Sequence, residues 1–123
     1  MEKAESQKEL SSTIKQIEAE PKTLHGGMVI GSILKDCGIR HVLGIPAAYV
    51  WSLETGFYEN GMTRIQMRQQ QAAAYAAEAY ALCSRSPGVC FGSAGTGVTD
   101  SVSGINQAWL ARSPVIGLFG THE

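Results

Sequence analysis

Four short apolar runs alternate along this chain with segments of helical period, and that alternation restricts the fold more than any other feature. The runs are His41-Val42-Leu43-Gly44-Ile45 (closed by Pro46), Thr63 to Met67, Val89-Cys90-Phe91 and Pro114 to Phe119. Ahead of the first, Met28, Val29, Ile30, Ile33 and Leu34 recur at helical spacing and stop at Cys37-Gly38. Val50, Leu53 and Phe57 share one face of a second helix that ends at Asn60-Gly61, and an alanine-rich segment over 69–84 forms a third. Ser86-Pro87-Gly88 turns the chain into the third run. Thr99 is placed to cap a fourth helix reaching Ala111. Strict alternation predicts an α/β fold: a doubly wound, mostly parallel sheet with right-handed crossovers and helices on both faces.

Ligands of such sheets bind beyond the carboxyl ends of the strands. That rule selects Gly44 to Ala48, Met67 to Gln71, Gly92 to Val98 and Gly120 to His122. The second holds three consecutive glutamines, Gln69-Gln70-Gln71, at the start of the alanine-rich helix. Two readings stand for them: a polar helix start facing solvent, or a ligand contact. Ala72, Ala73, Ala74, Ala76, Ala77 and Ala79 make that helix slim, so another helix approaches closely, within the domain or across a dimer interface. Gly92-Ser93-Ala94-Gly95-Thr96-Gly97 lies between a strand and a helix, the setting of a backbone anion cradle. It carries neither a complete dinucleotide fingerprint nor a Gly-Lys-Ser/Thr, and a tight turn is the alternative. His25, His41 and His122 show no metal-ligand spacing; His41 is structural and His122 stands at the ligand edge.

At 123 residues the chain is long enough for one domain with a sizeable core. A formal charge of −1 without a basic stripe argues against nucleic acid and anionic membranes as partners. Cys37, Cys83 and Cys90 form no framework, and are read as buried thiols of cytosolic type. No apolar run approaches the roughly 20 residues of a membrane span, and no secretory signal opens the chain. The expectation is a soluble cytoplasmic protein. Nine of the 21 charged side chains fall in residues 1–23, a charged N-terminal extension in which Leu10, Ile14 and Ile17 allow a weak amphipathic helix. The chain ends soon after its fourth apolar run with no closing helix, as expected of a domain incomplete at its C-terminus, whether a fragment or a split subunit.

Four motifs in order then carry a family resemblance. They are Cys37-Gly38-Ile39-Arg40-His41-Val42-Leu43-Gly44-Ile45-Pro46; Arg68 to Ala81; Pro87-Gly88-Val89-Cys90 followed by Gly95-Thr96-Gly97-Val98-Thr99-Asp100; and Ala108-Trp109-Leu110-Ala111-Arg112-Ser113-Pro114-Val115. Together, over about residues 26–120, they resemble the N-terminal, pyrimidine-binding domain of thiamine-diphosphate-dependent enzymes. The acetolactate synthase, benzaldehyde lyase and 2-hydroxyacyl-CoA lyase branch is the most similar group. The resemblance makes 24–123 that domain. In the family a glutamate hydrogen-bonds the aminopyrimidine ring and promotes its imino tautomer, whose nitrogen removes the proton from thiazolium C2. The resulting carbanion attacks a 2-keto acid or 2-hydroxyacyl substrate.

Counted back from Tyr80-Ala81, the glutamate position is Gln70, and an amide there cannot share an ionisable proton. The resemblance implies that Gln70 contacts the ring, that Pro46 and Ala47 line it, and that Gly95, Thr96 and Gly97 shape the floor near the thiazolium. Gln71 and His122 fall on the substrate side. Ala47 and Ala48 replace two family glycines, and Thr96 replaces a proline. No Gly-Asp-Gly occurs here, so Mg²⁺ and the diphosphate belong to a diphosphate-binding domain or subunit, with no metal ligand in this chain. The implied assembly is a dimer or tetramer. Two activities are compatible with this sequence: a lyase or transferase (carboligase) making or breaking a C–C bond, in which this segment alone is inactive, or a non-catalytic cofactor-binding or assembly subunit.

Overall fold

A computed structural model describes residues 24–121. The possible helix over residues 1–23 and the ligand-edge His122 lie outside these described residues. Helix α1 (Gly26–Asp36) is capped by His25, whose Nδ1 accepts from the Met28 N–H at 3.4 Å. Strand β1 (His41–Gly44) leads through a short 3₁₀ turn (Ala48–Val50) into α2 (Trp51–Glu59). Then follow β2 (Thr63–Gln66), α3 (Gln70–Ser84), β3 (Gly88–Gly92), α4 (Thr96–Ala111) and β4 (Val115–Phe119). The strands form one sheet in the order β2-β1-β3-β4. Every pair is parallel, with registers His41↔Thr63, Leu43↔Cys90 and Val89↔Ile116.

The order reverses direction between β1 and β3, the switch point of a doubly wound sheet. Helices α1 and α2 pack together, and α3 packs on α4. Successive side chains of a strand point to opposite faces, so the central strands supply two cores. Val42, Val89 and Phe91 join Leu34, Val50 and Phe57 beneath α1 and α2. Leu43 and Cys90 join Ala73, Ala74 and Ala77 beneath α3. β3 is buried along its whole length, and β2 is an exposed edge.

The slim face of α3 has its explanation inside the domain: α4 crosses it through Gly104, where an added Cβ would lie 2.6 Å from the Ala74 Cβ. Two expectations need correction. The fourth helix begins at Thr96 and its cap is Gly95, not Thr99: Gly95, at φ 65°, makes the turn itself and its carbonyl accepts from the Val98 and Thr99 N–H groups. Thr99 sits in the first turn and its Oγ1 donates back to the Thr96 carbonyl at 3.1 Å. Of the thiols, only Cys90 is buried; Cys37 and Cys83 are exposed at the C-terminal ends of α1 and α3. Burial pushes the Cys90 thiol up to about 11, against a smaller lowering by a backbone hydrogen bond, so it stays protonated and unreactive at neutral pH.

Among the described residues no helix is long and apolar enough to cross a membrane. His41 and Tyr80 join β1 to α3 through Nδ1 and the phenol oxygen, 3.1 Å apart, at the end of the strand away from the ligand edge.

Candidate functional site

The carboxyl ends of β1, β2 and β3 open onto a cavity of about 450 Å³. Ile45 lines it from the β1 turn; Arg68, Gln69, Gln70 and Gln71 from the β2–α3 junction; Ser93, Thr96, Gly97 and Asp100 from the β3–α4 turn and the first helical turn. The volume lies within the ordinary range for small-ligand sites. Its charged lining is one residue of each sign, Arg68 and Asp100.

Gln70 opens α3 and is only 6% exposed. The solvent-facing reading of the glutamines therefore does not hold for it. Its side-chain amide lies against the end of β3. One orientation of that amide satisfies both of its neighbours: the nitrogen donates to the Phe91 carbonyl at 3.2 Å, and the oxygen accepts from the Ser93 N–H at 3.3 Å. Gly92 makes room, since a Cβ there would lie 2.4–2.8 Å from the amide group. Gln71 is exposed and reaches across to α4, donating from Nε2 to the Ser103 hydroxyl at 2.9 Å. Ser101, buried on α4, donates to the Gly97 carbonyl at 2.8 Å and so ties the start of the helix beneath the cavity. Gln69 precedes the helix and its side chain makes no capping bond.

The structure thus brings Gln70, Gln71, Thr96 and Gly97 to one cavity. Gly95 turns the chain just before Thr96 and is not among the residues that line the cavity. Pro46 faces elsewhere, on a neighbouring apolar cavity of about 610 Å³ with Trp51, Phe57, Tyr58 and Met62. Ala47 is half-buried, and its N–H donates to Glu54 Oε1 at 3.1 Å. The other Glu54 oxygen pairs with Arg64 of β2, so an ion pair braces the turn that follows β1. Sequence reasoning passed over Glu54, and took Arg68, Ser93 and Asp100 only as parts of the ligand-edge segments and family motifs. Asp100 carried a readable signal, because four residues after Thr96 puts it on the same face of the helix. Glu54 carried none, since its reach to Ala47 depends on how α2 folds back.

A parallel, doubly wound sheet with a polar cavity at its switch-point edge and a glycine turn as floor defines an α/β ligand-binding domain. Residues 24–123 match the family model "Thiamine pyrophosphate enzyme, N-terminal TPP binding domain", and the chain belongs to that family. It is 35% identical over 102 residues to the acetolactate synthase large subunit of Mycobacterium tuberculosis, covering 83% of this chain and 19% of that one. It is 29% identical over 97 residues to the acetolactate synthase isozyme 2 large subunit of Escherichia coli, covering 79% and 18%. To the 2-hydroxyacyl-CoA lyase of Arabidopsis thaliana it is 27% identical over 104 residues, covering 85% and 18%. The chain therefore spans less than a fifth of the length of each of these relatives.

Proposed function

We propose that this chain is the pyrimidine-binding part of a thiamine-diphosphate-dependent enzyme that makes or breaks a carbon–carbon bond next to a carbonyl, on a 2-keto acid or 2-hydroxyacyl substrate. One observation carries the reading: in a chain of this family, Ile45, Gln70, Thr96 and Gly97 converge on a single cavity at the sheet's ligand edge. A flat ring fits there. Gly97 and Thr96 give a floor with little side-chain bulk, Ile45 an apolar wall, and Gln69 to Gln71 polar groups along one side. Bound at this position, the cofactor supplies the electron sink that such bond changes require.

The residues present orient a ring better than they ionise one. Gln70 offers an amide, which donates or accepts a hydrogen bond but holds no titratable proton. Asp100 is the carboxylate in the cavity lining. The proposal leaves Pro46 and Ala47, braced by Glu54, as the turn behind the ring, and Gln71 and His122 toward the substrate. The diphosphate and Mg²⁺ are assigned to a further domain or subunit, in a dimer or tetramer. An apolar groove of about 350 Å³ along α4, lined by Val98, Val102, Ile105 and Trp109, supports contact with such a neighbour.

A second reading, a non-catalytic cofactor-binding or assembly subunit, is favoured by Gln70, whose amide is already engaged by β3. The two separate when the full-length protein, loaded with thiamine diphosphate and Mg²⁺, is offered pyruvate and a 2-hydroxyacyl-CoA and products are followed by NMR. Consumption of either substrate is the expected result. Bound cofactor with neither consumed supports the second reading, and failure to bind cofactor overturns both.

A further inference from the structure

We infer that Gln70 is a positioning residue: its amide stands in for one missing residue of a parallel strand beside β3 and so fixes the turn that floors the cavity. The inference does not depend on which ligand the cavity holds. Pairing between β1 and β3 runs through Leu43↔Cys90 to Gly44↔Phe91, after which β1 turns away at Ile45-Pro46. The next ladder position, beside Gly92, falls on Ile45, which lies past the end of the strand.

The orientation of the exposed strand end follows from one bond on its other side. The Gly92 carbonyl accepts from the Gly120 N–H at 3.1 Å, which directs the Gly92 polar groups toward β4. Backbone groups alternate sides along a strand, so the Phe91 carbonyl and the Ser93 N–H face the β1 side. In a parallel ladder one residue of the neighbouring strand engages such a pair, donating to one and accepting from the other. Gln70 does this with its side chain, at 3.2 and 3.3 Å. The amide caps the ladder at the position where strand β1 ends.

The surrounding sequence is fitted to this arrangement. Gly92 carries no Cβ where one would collide with the amide, and a Cβ on Gly97 would come within 3.4 Å of it. Ser101 grips the Gly97 carbonyl from below. The turn from Ser93 to Gly97 is thus held at one end by Gln70 and at the other by Ser101. Only a side chain that both donates and accepts can serve. A carboxylate at position 70 would accept from Ser93 but face the Phe91 carbonyl oxygen with no proton to donate.

The substitution Gln70→Glu turns this into a pH-dependent property. The charged groups sharing the cavity are Arg68 ahead of α3 and Asp100 on α4, of opposite sign; the β1 turn contributes none, and β3 contributes only the protonated Cys90 thiol. Burial and the facing carbonyl favour the protonated acid in the folded state, raising its pKa above the ordinary value of about 4.3. A raised carboxyl pKa means that the lock is complete below the ordinary value and is lost as pH rises through the folded one.

The test is amide hydrogen exchange over residues 91–98 of the full-length protein, followed by mass spectrometry and corrected for the intrinsic pH dependence of exchange. In the unaltered protein the Ser93 amide is expected to be protected as though it lay inside a sheet. Gln70→Met, similar in length but without the amide, should raise its exchange roughly tenfold at both pH 4 and pH 7, the loss of one buried hydrogen bond. Gln70→Glu should match the unaltered protein near pH 4 and exchange about tenfold faster at pH 7. A purely space-filling role would leave all three alike at each pH, which overturns the inference. So would a Ser93 amide that exchanges as freely in the unaltered protein as in Gln70→Met, a comparison that stands even where Gln70→Glu fails to fold.

Discussion

Truncating Phe91 to alanine is expected to remove about 3–5 kcal/mol of stability, a large part of what a domain of this size possesses. Phe91 is fully buried at the centre of the sheet, on the strand that is covered along its whole length. Its ring meets Phe57 of α2 edge-on, with centroids 5.5 Å apart and planes at 63°. It also lies over Gly44, whose added Cβ would come within 2.7 Å of it. Removing the ring leaves a cavity between β1, β3 and α2 that backbone elements on three sides keep from collapsing. The aromatic pair itself accounts for about 0.5–1.5 kcal/mol of the loss, so Phe57→Ala and Phe91→Ala together should lose less than the sum of the two singles. Urea denaturation followed by circular dichroism checks both statements. A loss under ~1.5 kcal/mol would mean that this face of the sheet is not the main core.

The second large effect concerns chemistry rather than stability. In the full-length protein with cofactor bound, Gln70→Glu should speed proton exchange at thiazolium C2 by about 10²–10⁴-fold at pH 7, the range over which a positioned acid–base group acts. The amide of Gln70 is held on β3 by two backbone groups. A carboxylate keeps only one of those bonds, is repelled by the Phe91 carbonyl, and has the adjoining cavity open to it. There it supplies the titratable proton that the amide lacks. Quenched-flow deuterium exchange read by proton NMR measures the rate. An unchanged rate with cofactor demonstrably bound would mean that position 70 does not face the ring.

Much of this arrangement was legible in the sequence, for physical reasons that can be named. The four strands announced themselves because β-branched and apolar runs of three to six residues cannot hold a helical stripe. Parallel pairing followed from the helical segments between them. Gln70 could be placed at the ligand edge because β2 ends at Gln66 and the spacing to Tyr80 runs along one continuous helix. Local spacing is preserved in local structure.

What was illegible depends on contacts between distant segments. Nothing in residues 68–72 tells that the Gln70 amide folds inward onto Phe91 and Ser93; the signal is Gly92, and it has meaning only once β3 lies beside α3. Pro46 follows the strand that leads to the cavity, yet it faces α2, because Glu54 and Arg64 draw the turn to that side. The start of α4 was misplaced by four residues because Gly95 turns the chain with its backbone at positive φ, where sequence rules look for a capping side chain such as Thr99. The alanines of α3 left two neighbours open until Gly104 placed α4 against them.

The proposed function places the aminopyrimidine of thiamine diphosphate in the cavity bounded by Gln70, Thr96 and Gly97. Calorimetric titration of thiamine diphosphate, with Mg²⁺, into the full-length protein and its Gly97→Val variant tests it most directly. Valine at position 97 would press on Ser93, whose hydroxyl lies 2.6 Å from the added Cβ, and fill the floor. Saturable binding to the unaltered protein is expected, with at least ~30-fold weaker binding, about 2 kcal/mol, to a variant still folded by circular dichroism. No binding to the unaltered protein, or equal binding to a folded Gly97→Val variant, would contradict it.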